Sequence, residues 1–168
     1  VFGIQGIDTR ALTRRIREKG AQQAILSTDI SNPQSLVEKA RKSPGLMGRD
    51  LVKEVTCEKS YDWDESEWSI QNGQTQLEAI KDRPYKVIVY DFGVKRNILR
   101  KLTSAGCKVK VVPATTPADK VLAENPDGIF LSNGPGDPAA VPYAIENIKA
   151  ILGEIPVFGI CLGHQILS

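Results

Sequence analysis

The sequence predicts an α/β protein. Its C-terminal part is expected to be an open, mostly parallel sheet with helices on both faces, preceded by part of a smaller α/β N-terminal domain. From residue 85 onward, short apolar runs alternate with helical patterns, which is typical of βαβ units and of a parallel sheet covered on both faces. Before that point, residues 56–84 lose periodicity and separate this pattern from a first unit at residues 1–55.

Composition and charge exclude several classes of protein. The chain has 168 residues, 41% of them hydrophobic and 25% charged, as in ordinary folded proteins. A formal net charge of +2 without a basic stripe interleaved with aromatics predicts no nucleic-acid partner. No apolar run approaches the roughly 18 residues of a membrane span. The 3 scattered cysteines favour a reducing compartment, so we expect a cytoplasmic protein without a membrane partner.

The ends of the sequence predict a piece of a longer protein. Val1 is not an initiator methionine, and the pattern of the last helix runs for only about two turns before Ser168.

Residues 1–55 are predicted to contain two helices and a short strand. The first helix is capped by Asp8 or Thr9, and Gly20 ends it. Asn32-Pro33 begins the second helix, because proline is favoured at the first helical position. We interpret the cations of the first helix as a solvated face. The predicted strand lies at 24–27, and the apolar stripes are Leu12 and Ile16, then Leu36, Val37 and Ala40.

Residues 56–84 are predicted to link this unit to the second one. Tyr61, Trp63 and Trp68 lie among acidic residues, and Asn72-Gly73 indicates a turn. We expect at most a short hairpin in which the two tryptophans pack.

Residues 85–168 contain the alternating pattern. Active sites in such sheets lie beyond the carboxyl ends of the strands, which directs attention to the loops 91–93 and 132–138. The predicted strands are 86–90, 109–112, 128–131 and 157–160, and the predicted helices are 96–105, 117–125 and 142–152.

The segment Pro156–Ser168 has the layout of a nucleophile elbow. An apolar strand meets Cys161, which is flanked by Gly159 and Gly163, and a helix pattern follows directly. A helix N-terminus stabilises a thiolate, and the Leu162 N–H points to where an oxyanion would develop. The alternative is a buried structural cysteine. The two glycines and the helix favour the nucleophile.

The loop Ser132–Pro138 could supply a second oxyanion donor. Gly134 and Gly136 on either side of a proline make a stiff backbone that a ligand can approach closely. The alternative is an ordinary tight turn. Neither of the common glycine-rich phosphate-binding motifs occurs in the sequence.

The motifs Gly159-Ile-Cys-Leu-Gly-His-Gln165 and Ser132-Asn-Gly-Pro-Gly-Asp-Pro138 together resemble those of the class I (triad) glutamine amidotransferases. Two further motifs narrow the resemblance to one group of amidotransferases, the small, glutamine-hydrolysing chains of carbamoyl-phosphate synthases. The motifs that resemble those chains are Gly6-Ile-Asp-Thr-Arg-Ala-Leu-Thr-Arg14 and Tyr90-Asp-Phe-Gly-Val-Lys-Arg-Asn97. The resemblance covers essentially the whole chain. It implies that residues 1–55 end the N-terminal domain of such a chain, and that residues 85–168 begin its amidotransferase domain.

The resemblance also implies an activity and a partner. The substrate would be L-glutamine, and the ammonia would pass to a large synthetase chain that makes carbamoyl phosphate for arginine and pyrimidine biosynthesis. ATP and magnesium are expected on that large chain, with no cofactor or metal in this one.

The roles of individual residues follow from the same resemblance. Cys161 would be the nucleophile that forms a γ-glutamyl thioester. Leu162 and a glycine of the pair Gly134 and Gly136 would hold the oxyanion through backbone N–H groups. Gln165 would contact the substrate.

The histidine base of the family, oriented by a glutamate two residues later, is expected beyond Ser168. We interpret His164 as a structural helix residue, with a role at the large-chain interface as the alternative. Residues 1–168 alone are therefore expected to be inactive. A non-catalytic binding or regulatory module, or an amidotransferase of another synthetase, are the competing hypotheses.

Overall fold

The computed structural model describes residues 3–29, 31–70, 73–74 and 83–168. The chain divides into two compact units, Val1–Gly45 and Leu46–Ser168. None of the helices in the described ranges is both long and apolar enough to cross a bilayer.

The first unit contains the two predicted helices, α1 (Thr9–Lys19) and α2 (Pro33–Lys42). The Asp8 side chain accepts the Ala11 N–H at 2.9 Å, and the Asn32 side chain accepts the Ser35 N–H at 3.1 Å, so both helices have N-caps. Residues 24–27 are irregular, contrary to the predicted strand, because a strand needs a paired neighbour. Neither helix contains a buried residue.

The second unit alternates strands with helices, as predicted. Its elements in chain order are α3 (Val52–Val55), β1 (Tyr61–Trp63), β2 (Trp68–Ser69), β3 (Gly73–Gln74), β4 (Tyr85–Asp91), α4 (Arg96–Ser104), β5 (Cys107–Pro113), α5 (Ala118–Leu122), β6 (Gly128–Leu131), α6 (Pro142–Ile151), β7 (Val157–Gly159) and α7 (Leu162–Leu167).

The five-stranded sheet has the order β1-β5-β4-β6-β7. Strands β5, β4, β6 and β7 run parallel, and β1 pairs antiparallel with β5 at one edge. The prediction of a mostly parallel sheet is confirmed. The carboxyl ends of β4, β6 and β7 therefore meet at one edge of the sheet, where the loops 91–93 and 132–138 and Cys161 follow them.

The two faces of the sheet are covered by different helices. Ile88 and Tyr90 of β4 pack in one cluster with apolar residues of α5, α6 and α7. Val89, between them, packs in a second cluster with Leu99 of α4. This alternation is the two-residue period of a strand that is buried on both faces.

Residues 46–70 belong to the second compact unit, so the division of the chain differs from the predicted domain limits. The sequence predicted a first domain to residue 55 and a linker to residue 84, whereas Val52 is 1% exposed within the core of the second unit. Trp63 packs beside β5 from strand β1. The segment lacks a periodic pattern because its packing depends on the surface of the sheet.

The predicted hairpin is present as β2 and β3, but the tryptophans lie on different strands. Trp68 is 66% exposed, whereas Trp63 is half-buried on β1. Gly73 has a positive φ of 65°, and Asn72 of the predicted turn lies outside the described residues.

Candidate active site

Cys161 lies at the turn between β7 and α7, as the elbow pattern predicts. Its backbone has φ 54° and ψ −114°, a conformation that residues other than glycine rarely adopt. Strain of this kind costs about 1–3 kcal/mol and is typical of functional sites. The Gln165 N–H donates to the Cys161 carbonyl at 2.9 Å, which closes the first turn of α7. The residue is exposed at the surface.

The two glycines that flank Cys161 allow the strand and the helix to pack closely. A Cβ on Gly159 would come within 2.6 Å of the Gly163 carbonyl carbon, and a Cβ on Gly163 would overlap the Leu131 carbonyl oxygen. The Gly163 N–H donates to the Ser132 carbonyl at 3.1 Å. Only glycine therefore fits at both positions, and α7 is held against the end of β6.

The glycine loop, residues 132–137, packs against this elbow. A Cβ on Gly134 would come within 2.8 Å of Leu162 Cδ2 and would overlap the Phe92 carbonyl oxygen. Gly136 has a φ of 95°, which side chains disfavour. Of the residues predicted for the site, the structure thus brings Gly134 and Leu162 together beside Cys161.

The glycine loop and the loop after β4 form one hydrogen-bonded unit. The buried Ser132 hydroxyl accepts the Phe92 N–H at 2.9 Å and donates to the Asn133 carbonyl at 2.8 Å. The Asn133 side chain accepts the Lys95 N–H at 3.0 Å and donates to the Gly93 carbonyl at 2.9 Å. Each of these two side chains both accepts and donates a hydrogen bond, which fixes the loops relative to each other.

Asp91 lies beside the site and forms hydrogen bonds that the sequence did not predict. The residue is 5% exposed, and its carboxylate accepts the N–H groups of Gly93, Val94 and Cys57 at 2.9, 2.8 and 2.9 Å. The sequence singled out the loop that begins at Asp91, and an aspartate two residues before a glycine is a known turn signal. The contact with Cys57 has no local signal.

The other residues named from the sequence lie around α7 and in the sheet. Gln165 is exposed and lines a groove of about 410 Å³ together with Pro138, Ala139 and residues of α6. His164 is exposed on α7. Cys57 and Cys107 are half-buried. Burial, and then the neighbouring Asp91, raise the pKa of the Cys57 thiol to about 11, and burial raises the pKa of Cys107.

A cysteine on a strained strand-to-helix turn, beside a glycine loop at the carboxyl edge of a parallel sheet, is an arrangement suited to acyl transfer. The class-I glutamine amidotransferase family matches residues 88–168, which include all of these groups. This part of the chain therefore belongs to the class-I glutamine amidotransferases.

Similarity to named proteins extends over the whole chain. It is 60% identical to the carbamoyl phosphate synthase small chain of Syntrophotalea carbinolica, 53% identical to that of Salmonella typhi and 49% identical to the chloroplastic one of Oryza sativa. The chain spans 44% of the length of the two bacterial relatives and 37% of the rice protein. It is thus a relative of the carbamoyl phosphate synthase small chains along its entire length.

Proposed function

We propose that the chain carries the glutamine-hydrolysing site of a carbamoyl phosphate synthase, with Cys161 as the nucleophile. The main support is the position of Cys161, exposed on a strained turn beside the contact between Gly134 and Leu162. The similarity to carbamoyl phosphate synthase small chains supports glutamine as the source of the acyl group.

In the proposed reaction, the Cys161 sulfur attacks the carboxamide carbon of the glutamine side chain. The carbonyl oxygen becomes an oxyanion, held by the backbone N–H of Leu162 and by one from the Gly134 and Gly136 loop. Collapse of this intermediate breaks the carbon–nitrogen bond, releases ammonia and leaves a γ-glutamyl thioester. Water then attacks the thioester, which gives glutamate and the free thiol.

Two proton transfers accompany these steps. The departing nitrogen must gain a proton, and the attacking water must lose one. The proposal assigns both transfers to a histidine–glutamate pair outside residues 1–168, so this chain by itself turns glutamine over slowly or not at all.

The proposal also includes a partner and a cellular context. Ammonia passes to a large synthetase chain, where ATP and magnesium are used, in arginine and pyrimidine biosynthesis in the cytoplasm. Gln165 contacts the bound glutamine, and no cofactor or metal is required in this chain.

The decisive experiment compares two nitrogen sources. The full-length gene product, combined with a carbamoyl phosphate synthase large chain, is assayed with glutamine and separately with ammonium. We expect Cys161→Ala to abolish carbamoyl phosphate synthesis from glutamine and to leave synthesis from ammonium intact. Cys107→Ala, which removes a half-buried thiol at the start of β5, is the matched control.

Mass spectrometry of the quenched reaction should show the γ-glutamyl adduct on the peptide that contains Cys161. A wild-type protein that forms neither this adduct nor any glutamate would instead support the hypothesis of a non-catalytic binding module.

A further inference from the structure

The glycine loop is supported from behind by residues 48–57, which we call the strap. The Gly48 N–H donates to Asp137 Oδ2 at 3.0 Å. Gly136 lies against the strap, because a Cβ there would come within 3.3 Å of the Arg49 carbonyl oxygen. The Tyr143 hydroxyl, at the start of α6, donates to Asp50 Oδ1 at 3.2 Å.

The same strap contacts the loop after β4. A Cβ on Gly93 would come within 3.0 Å of Val55 Cγ2, and the Cys57 N–H donates to Asp91 Oδ2. Val52, in the middle of the strap, is buried in the core of the second unit. The strap therefore contacts the rest of this unit along its whole length.

The two oxygens of Asp91 serve different segments. Oδ1 accepts the N–H groups of Gly93 and Val94 in its own loop, and Oδ2 accepts the N–H of Cys57 in the strap. A local turn needs only one of these oxygens. Burying a carboxylate is costly unless it is well hydrogen-bonded, and its second oxygen is used to join the loop to the strap.

The loop that Asp91 holds is in direct contact with the glycine loop. Phe92 donates its N–H to Ser132, and its carbonyl oxygen lies against Gly134. Gly134 in turn lies against Leu162. A shift of Phe92 would therefore move the backbone N–H groups that, in the proposed function, donate hydrogen bonds to the oxyanion.

We infer that Asp91 is a positioning residue for glutamine hydrolysis. Its carboxylate forms hydrogen bonds with both the strap and the loop after β4, and it thereby fixes the glycine loop against Leu162. This inference rests on the proposed function. Asp91 acts through the oxyanion donors rather than through the thiol, because the packing of Gly159 on Gly163 and of Gly163 on Leu131, which positions Cys161, involves neither Asp91 nor its loop.

Asp91→Asn distinguishes the hydrogen bonds that Asp91 makes within its own loop from the one that it makes with the strap. The asparagine oxygen can still accept the N–H groups of Gly93 and Val94, while its amide group faces the Cys57 N–H and places two donors against each other. Asp127→Asn is the matched control, because Asp127 Oδ2 also accepts a backbone N–H, that of Lys86 at 2.7 Å, at the amino-terminal end of the sheet.

The test measures glutamine hydrolysis by the full-length gene product together with the rate at which iodoacetamide alkylates Cys161. Because a misplacement of about 1 Å can cost about a hundredfold in rate, we expect Asp91→Asn to lower kcat by about ten- to a hundredfold with little change in KM. The alkylation rate should stay within about twofold of wild type, since alkylation forms no oxyanion. Asp127→Asn should change neither quantity.

An unchanged kcat in folded Asp91→Asn protein would overturn the inference, and so would an equal loss of kcat and of alkylation, because that pattern indicates general disruption. If Asp91→Asn does not fold, Asp137→Asn provides a second variant. It weakens the surface hydrogen bond by which Asp137 of the glycine loop accepts the Gly48 N–H of the strap. It should lower kcat in the same sense.

Amide hydrogen exchange separates this inference from the proposed function, because it needs no glutamine. Exchange in the peptide covering residues 132–137 should become at least about fivefold faster in Asp91→Asn and stay unchanged in Asp127→Asn. If wild type hydrolyses no glutamine, the proposed function fails, and unchanged exchange in Asp91→Asn would independently refute the positioning role.

Discussion

Gly134 lies directly against Leu162, so that a Cβ on the glycine would come within 2.8 Å of Leu162 Cδ2. This contact joins the loop after β6 to the first residue of α7. It brings together the two backbone segments that the proposed reaction uses to hold an oxyanion.

Gly134→Ala should therefore impair both activity and stability. The added methyl would overlap the Phe92 carbonyl oxygen and press on Leu162, so the glycine loop must move away from the elbow. We expect a loss of about 1–3 kcal/mol in the free energy of unfolding, as for other overpacked positions, and at least about a tenfold fall in glutamine hydrolysis. Urea unfolding and a glutamate assay measure the two effects.

Gly128→Ala is the control for this substitution. A Cβ at Gly128 on β6 would meet the Pro156 carbonyl oxygen at 3.7 Å, which is an ordinary contact. Equal losses in the two variants would contradict the assigned contact between Gly134 and Leu162.

Gly163→Ala should disrupt the elbow. Its methyl would overlap the Leu131 carbonyl, which lies at the end of β6, and would push α7 away from the sheet. We expect destabilisation by about 1–3 kcal/mol and loss of the γ-glutamyl adduct on Cys161. Thermal unfolding and mass spectrometry of the quenched reaction would check this. A variant that keeps wild-type stability would show that the elbow tolerates a side chain at this position.

The three cysteines should differ in their reactivity. Cys161 is exposed, whereas Cys57 and Cys107 are half-buried, and burial raises the thiol pKa of both. Iodoacetamide at pH 7.5 should thus alkylate Cys161 first, about tenfold or more ahead of the other two. Peptide mapping at timed intervals measures each rate. Equal rates in a folded sample would contradict the exposed position of Cys161.

The Cys57 thiol should make stability depend on pH in the alkaline range. Burial and the charge of Asp91 raise its pKa from 9.0 to about 11 in the folded protein. Because the thiol ionises more easily in the unfolded chain, its contribution to stability is complete below pH 9.0 and falls as the pH rises toward about 11.

Urea unfolding between pH 8 and pH 11 should show this decline, and Cys57→Ala should have a shallower one. Cys107→Ala removes a half-buried thiol whose pKa is raised by burial alone, so it should flatten the decline less than Cys57→Ala does. An identical decline in wild type and Cys57→Ala would show that other groups cause it.

Where a local signal was strong, the sequence predicted the elements closely. Strand β6 has the predicted limits, and α2 begins at Pro33 after its Asn32 cap. Cys161 lies on the predicted strand-to-helix turn, because glycines on both sides of a cysteine after an apolar run leave few other arrangements. Strand β7 ends one residue earlier than predicted, since Ile160 already belongs to the turn.

The packing of residues 46–70 could not be predicted in the same way. Strand β1 is 3 residues long and pairs with the edge of β5, about 50 residues further along the chain. The strand predicted at residues 24–27 does not form. The conformation of such a short segment depends on the tertiary surface against which it packs, and the local sequence pattern does not predict that surface.

The sequence by itself determined the alternating α/β architecture, the edge of the sheet at which a site could form, and the place of Cys161 on the strand-to-helix turn at that edge. These depend on strand and helix periodicity and on glycines that are needed locally. Only the tertiary structure decided that Gly134 lies against Leu162, and that Asp91 joins its own loop to Cys57, which lies 34 residues earlier in the chain. Such contacts depend on the packing of distant backbone segments.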